Sequence, residues 1–113
     1  MNAARLRRST DIATVRKIGR GVRDVAFTAR LRPNDLNVMR LAVSAPRTVG
    51  LSTIRNRARR RVREAFRQAC AAADITPALD IVVTVRRDAI AADFSALRAA
   101  AEAALGSARQ SSR

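Results

Sequence analysis

Between residues 52 and 73 the apolar positions Ile54, Ala58, Val62, Ala65, Phe66 and Ala69 recur at helical spacing and cover about one third of the helix circumference. Most of the remainder is arginine. Residues 55–67 hold seven Arg and a single acid, Glu64, for a local net charge of +6. A helix with one narrow apolar stripe has to lie on another layer, so this segment demands a sheet or a second helix beneath it. Its outer surface then carries Arg57, Arg59, Arg60, Arg61, Arg63 and Arg67, with Arg55 at the apolar edge. Like charges four residues apart, as in Arg55/Arg59, Arg59/Arg63 and Arg63/Arg67, weaken a helix. A solvated face normally mixes signs, and this one does not. Arg55, Asn56, Arg57, Arg59, Arg60, Arg61, Arg63 and Arg67 are therefore the candidate contacts to the phosphates of a nucleic acid.

The rest of the chain agrees with a polyanion partner. The 113 residues carry a net charge of +14, from 22 Arg and one lysine, Lys17, against nine acids. So much like charge repels itself in a compact fold unless phosphates or counterions relieve it. Arginine also offers a planar fork for phosphate. His is absent and Cys70 is the single cysteine. This excludes histidine acid–base chemistry, His or Cys-cluster metal sites, and a disulfide within the chain. The nine carboxylates are scattered, so no acid–base or two-metal constellation is readable. No apolar run approaches the roughly 20 residues of a membrane span, and the basic N-terminus has no apolar segment behind it. The expectation is a soluble, cytoplasmic protein of one domain, residues 1–113, with a basic arm at 1–8 and a flexible tail at 106–113.

The pattern predicts three helices and three strands. A first helix runs over 11–18, capped by Ser9 or Thr10 and ended by Gly19 and Gly21. A strand over 22–31 carries Val25, Phe27, Ala29 and Leu31 on one face, and Arg32–Asp35 turns the chain into a second strand at 38–45. These two are expected to form an antiparallel hairpin. After Pro46 and Gly50 comes the arginine helix, capped by Ser52 or Thr53. A break at Thr76–Pro77 leads to 80–85, whose β-branched run reads as a central, buried strand. A last helix covers 91–105, with Phe94, Leu97, Ala101 and Leu105 on one stripe and Asp88 and Asp93 expected to cap it. Glu64 is expected to pair with Arg60 or Arg61, and Cys70 to fill core. The fold class is α+β: a small mixed sheet with helices packed on one face. The 24 alanines leave its core lightly filled.

Arg55-Asn56-Arg57, followed by Arg59-Arg60, Arg63-Glu64 and Phe66-Arg67, resembles the arginine helix of the bacterial ribonuclease P protein subunit. Leu41-Ala42-Val43-Ser44 with Val49-Gly50 resembles the strand and loop that precede it. Asp80-Ile81-Val82-Val83 with Val85-Arg86-Arg87 resembles the family's last strand, and Asp11, Val15 and Gly19 match its first helix. The resemblance spans residues 5–105. It implies the order α-β-β-β-α-β-α, a fold like the second domain of a small-subunit ribosomal protein, and a left-handed β-α-β crossover. A further strand is then expected within 46–54.

The resemblance also implies a role. The family's RNA partner is a ribozyme that cuts the 5′ leader from precursor tRNA. The protein binds the catalytic RNA and the leader, as a monomeric, non-catalytic subunit of an endoribonuclease holoenzyme. Mg2+ would be held mainly by the RNA. The arginine helix would face the catalytic RNA, and a cleft between the first helix and the sheet would hold the leader. Residues placed at that cleft are Ile12, Arg16, Phe27, Arg30, Arg47, Arg86 and Arg87. Here the chain departs from the family pattern. Ile12, Arg16 and Arg30 stand where aromatics are usual. Pro46 replaces Ser, Arg47-Thr48 a lysine pair, and Leu51 an Asn. Charge would then replace base stacking. A small ribosomal or other structural RNA-binding protein fits the composition equally. A DNA-binding regulator lacks the helix that would complete a helix-turn-helix, a membrane-surface helix lacks bulky apolar residues, and a stand-alone nuclease lacks a site.

Overall fold

The structure is a computed structural model that describes residues 3–73 and 77–111. The expected break at Thr76, the first two residues of the arm and the last two of the tail lie outside the described residues. The chain runs through β1 (Ala3–Arg5), α1 (Ser9–Ile18), β2 (Arg20–Arg23), β3 (Phe27–Pro33), β4 (Met39–Ser44), α2 (Ser52–Ala72), β5 (Leu79–Val85) and α3 (Phe94–Ser111). The strands form one mixed sheet in the order β1-β4-β5-β3-β2.

β5 is central because its run Leu79–Val85 can be buried on both faces. It pairs in parallel with β4 and antiparallel with β3. The expected hairpin between the strands at 22–31 and 38–45 is therefore corrected: β3 and β4 flank β5 and do not pair with each other. The expected single strand over 22–31 is two. The Asp24 carboxylate accepts the Ala26 amide N–H at 2.9 Å and the Asp24 N–H donates to the Phe27 carbonyl at 2.8 Å. This tight turn folds β2 back on β3 and leaves Val25 exposed. Part of the expected basic arm is also a strand, since β1 extends the sheet parallel to β4 and Leu6 is buried. No strand occupies 46–54. Arg47–Val49 is a 3-10 turn, and Gly50, at φ 147°, takes a conformation that side chains rarely adopt as it leads into α2.

Alternation along the strands divides the core. Phe27, Ala29, Leu31, Met39, Leu41, Ile81, Val83 and Val85 face α2 and α3. α2 contributes Ala58, Val62, Ala65, Phe66, Ala69 and Cys70, and the Phe27 and Phe66 rings meet with centroids 5.3 Å apart. α3 contributes Leu97, Ala101, Ala104, Leu105 and Ala108. It continues through Gly106 to Ser111, so most of the expected flexible tail is helical. Helices on one face holds for α2 and α3. α1 lies on the other, over a small cluster of Leu6, Val15 and Val82 with Ile12 and Ala42 beside it. Neither α1 nor α2 has a side-chain cap: Arg8 and Leu51 occupy the cap positions, and Ser9, Thr10, Ser52 and Thr53 fall outside that role. Asp93 directly precedes α3, and Asp88 lies in a 3-10 turn at Arg87–Ala89.

Candidate nucleic-acid interface

Two basic surfaces lie on opposite sides of the sheet. The first is the outer face of α2. Asn56, Arg57, Arg60 and Arg67 are exposed, whereas Arg55, Arg59, Arg61 and Arg63 are half-buried along the flanks. The flank residues have different surroundings. Arg59 donates to the Asn56 amide oxygen, and Arg61 donates to the Ala92 carbonyl, tying α2 to the chain before α3. Arg63 sits toward β1, where burial, with Arg5 and Arg59 close by, pushes its guanidinium below the ordinary arginine value. Glu64 pairs with Arg67, three residues on, and accepts from Gln68 at 3.0 Å. The expected pairing with Arg60 or Arg61 is thus corrected, and Arg60 keeps its charge outward. The bonds from Arg67 and Gln68 lower the Glu64 carboxyl to about 2. An ion pair this exposed contributes little stability.

The second surface is a groove on the α1 face. Arg16 of α1 forms one wall and Arg23 and Arg30 the other, above a floor of Thr28, Val82 and Thr84, around a cavity of about 350 Å³. Arg30 is held in place: its guanidinium donates to the Gly19 carbonyl at 3.0 Å and packs over Gly21. Gly19 itself lies tight at the end of α1, where an added Cβ would fall 2.4 Å from the Val15 carbonyl oxygen. The groove continues past Arg23, Thr28 and Thr84 into a second depression of about 510 Å³, lined also by Pro46, Thr48, Arg86 and Arg87. Arg87 and Asp88 are shared with a third, which reaches Arg47, Leu51 and Ile54 at the start of α2. One trough thus runs from α1 to the base of the arginine helix.

Of the residues expected at this cleft, Arg16, Arg30, Arg47, Arg86 and Arg87 line the trough. Two do not. Ile12 packs under α1 against the small cluster. Phe27 is 1% exposed on the opposite face, because its parity on β3 matches Ala29 and Leu31 and turns it into the main core. Sequence reasoning missed Arg23, Thr28 and Thr84, which depend on the turn at 24–26 and on the β3–β5 register.

A buried carboxylate holds Arg40 on the sheet beside α1. Asp80 of β5 is 4% exposed. Its carboxylate accepts from Arg40 Nε and Nη2 at 2.8 and 2.7 Å and from Asn34 Nδ2 at 2.8 Å. Burial pushes the Asp80 carboxyl up, but these bonds and the charges of Arg40 and Arg32 outweigh it and leave the group below the ordinary carboxylate value. Arg40 also reaches Asp11 of α1 at 3.6 Å. Among the described residues no three Asp, Glu, His or Cys side chains are grouped as metal ligands.

Comparison with known proteins follows the same lines. A family model described as Ribonuclease P matches residues 1–109. The ribonuclease P protein component of Chloroflexus aggregans is 36% identical over 98 residues, covering 86% of this chain and 71% of that one. Its counterpart in Thermotoga petrophila is 35% identical over 83 residues, covering 74% and 69%. Among solved structures, the RNase P protein of Thermotoga maritima in complex with 1-(4-fluorophenyl)-2-thiourea superimposes with a TM-score of 0.75 at 31% identity, covering 89% of this chain and 96% of that one. The Staphylococcus aureus RNase P protein gives 0.75 at 25% identity, covering 95% and 96%.

Proposed function

This chain belongs to the ribonuclease P protein family, and on that premise we propose that it binds the catalytic RNA through α2 and the 5′ leader of precursor tRNA through the α1 groove. The protein then acts as a monomeric cytoplasmic subunit that docks and orients RNA, and the RNA performs the cleavage. The single observation that carries the reading is the pairing of two arginine surfaces on one rigid sheet, joined end to end by the trough through Arg86, Arg87 and Arg47. On α2, Glu64 is occupied by Arg67, so among the described residues Arg57 and Arg60 meet no internal counter-charge. Phosphate supplies one, with counterion release as the driving term. In the groove, Arg16, Arg23 and Arg30 surround a space with no aromatic lining, which suits a sugar–phosphate strand better than stacked bases. Mg2+ neutralises phosphate charge and activates water in RNA cleavage. We assign it to the RNA, because the described carboxylates are dispersed or, like Asp80, already engaged.

The test is reconstitution of precursor-tRNA cleavage at low Mg2+, with and without this chain. The expected result is cleavage that depends on the catalytic RNA and is strengthened by the protein. Cleavage by the protein alone, after rigorous removal of RNA, would contradict the proposal.

A further inference from the structure

The strand register sorts the groove face into rows that cross the sheet. One row reads Arg30, Val82 and Ala42, with Gly21 at its end, and α1 packs against its Val82 and Ala42. The next reads Thr28, Thr84 and Ser44, with Arg23 at its end. Thr28 and Thr84 are directly opposed on β3 and β5, half-buried, and line both of the first two depressions. Neither hydroxyl makes a hydrogen bond to the protein among the described residues.

Every other polar side chain lining the first depression is a guanidinium, from Arg16, Arg23 or Arg30. Guanidinium groups only donate, so they match phosphate and take nothing from a donor on the ligand. A threonine hydroxyl also accepts. A phosphate oxygen offers it no proton, but a ribose 2′-hydroxyl both donates and accepts, and it lies beside the backbone that the arginines hold. We propose that Thr28 and Thr84 form a ribose-recognition site on the groove floor, so that the groove distinguishes RNA from DNA of the same sequence. This rests on the reading of the groove as a single-strand site.

The test uses the full chain assembled with its catalytic RNA and three substrates: precursor tRNA with an all-ribose leader, with a 2′-deoxy leader of the same sequence, and with no leader. The expected result is tighter binding of the ribose leader than of the deoxy leader by about fivefold, the scale of one net hydrogen bond. In the Thr28→Val, Thr84→Val protein, which keeps the branched side-chain shape, the two leaders bind alike while the salt dependence of leader binding is unchanged. Thr28→Ser with Thr84→Ser restores the preference. Equal binding of both leaders by the unmodified protein, or a preference that survives in the valine protein, overturns the ribose site and leaves the groove reading intact. A leader that adds no affinity at all overturns both.

Discussion

At the scale of residues, the arginines of α2 divide by what they touch. Arg57 and Arg60 are exposed, whereas Arg61 is engaged with the Ala92 carbonyl. Replacing Arg57 and Arg60 by Ala is expected to leave the circular dichroism spectrum unchanged. It should reduce the log–log salt slope of RNA binding by about 1.4 to 1.8, at roughly 0.7 to 0.9 per phosphate contact. A slope unchanged in a salt titration would mean that this face does not meet RNA. Arg61→Ala is expected to affect stability as well, which makes it a poor probe of charge. Phe66 behaves in the opposite sense. It is fully buried against Phe27, so Phe66→Ala should cost about 3–5 kcal/mol in denaturant unfolding with no direct effect on the salt slope of the folded fraction. Asp80 gives a pH signature. Its folded carboxyl is below the ordinary value, so its contribution is present above the unfolded pKa of about 4 and fades as the pH falls through the folded value. Asp80→Asn should lower stability near neutral pH and flatten this acid limb in urea titrations between pH 7 and pH 3.

At the scale of elements, what was legible is what local pattern decides. α2 follows from Ala58, Val62, Ala65, Phe66 and Ala69 on one stripe, and β5 from its unbroken β-branched run, because both signals are contained in the segment itself. The β2–β3 turn was not legible, since Asp24, Val25 and Ala26 continue a strand-like pattern and only the Asp24 bonds reveal the fold-back. β1 has three residues, and its pairing with β4 is nonlocal. The face on which Phe27 lies was open for the same reason, and with it the correct lining of the groove. The basic site on α2 could be read from charge alone, whereas Arg23, Thr28 and Thr84 required the register. Among the three helices α1 is held least by apolar packing: its own buried side chain is Val15, against six on α2. Arg40, held on the sheet by Asp80, adds an ion pair to Asp11 of α1 at 3.6 Å. Arg40→Met is expected to speed amide hydrogen exchange in α1 well before exchange in α2 and α3 changes. Equal acceleration throughout would show that Arg40 stabilises the whole domain instead.

At the scale of the whole molecule, the sheet is a plate with a different basic surface on each side. The net charge of +14 suits RNA in general, but the proposed division between α2 and the groove requires that each surface act on its own RNA. The most direct measurement compares two double variants, Arg57→Ala with Arg60→Ala on α2, and Arg16→Ala with Arg23→Ala in the groove. Each is scored for affinity toward the catalytic RNA alone and for the extra affinity that a leader confers on precursor tRNA in the assembled complex. Both variants remove two positive charges, so any effect of net charge is matched. The α2 variant is expected to weaken binding of the catalytic RNA and keep the leader increment, while the groove variant is expected to keep catalytic-RNA binding and lose most of the increment. Equal losses of both affinities in both variants would contradict that division.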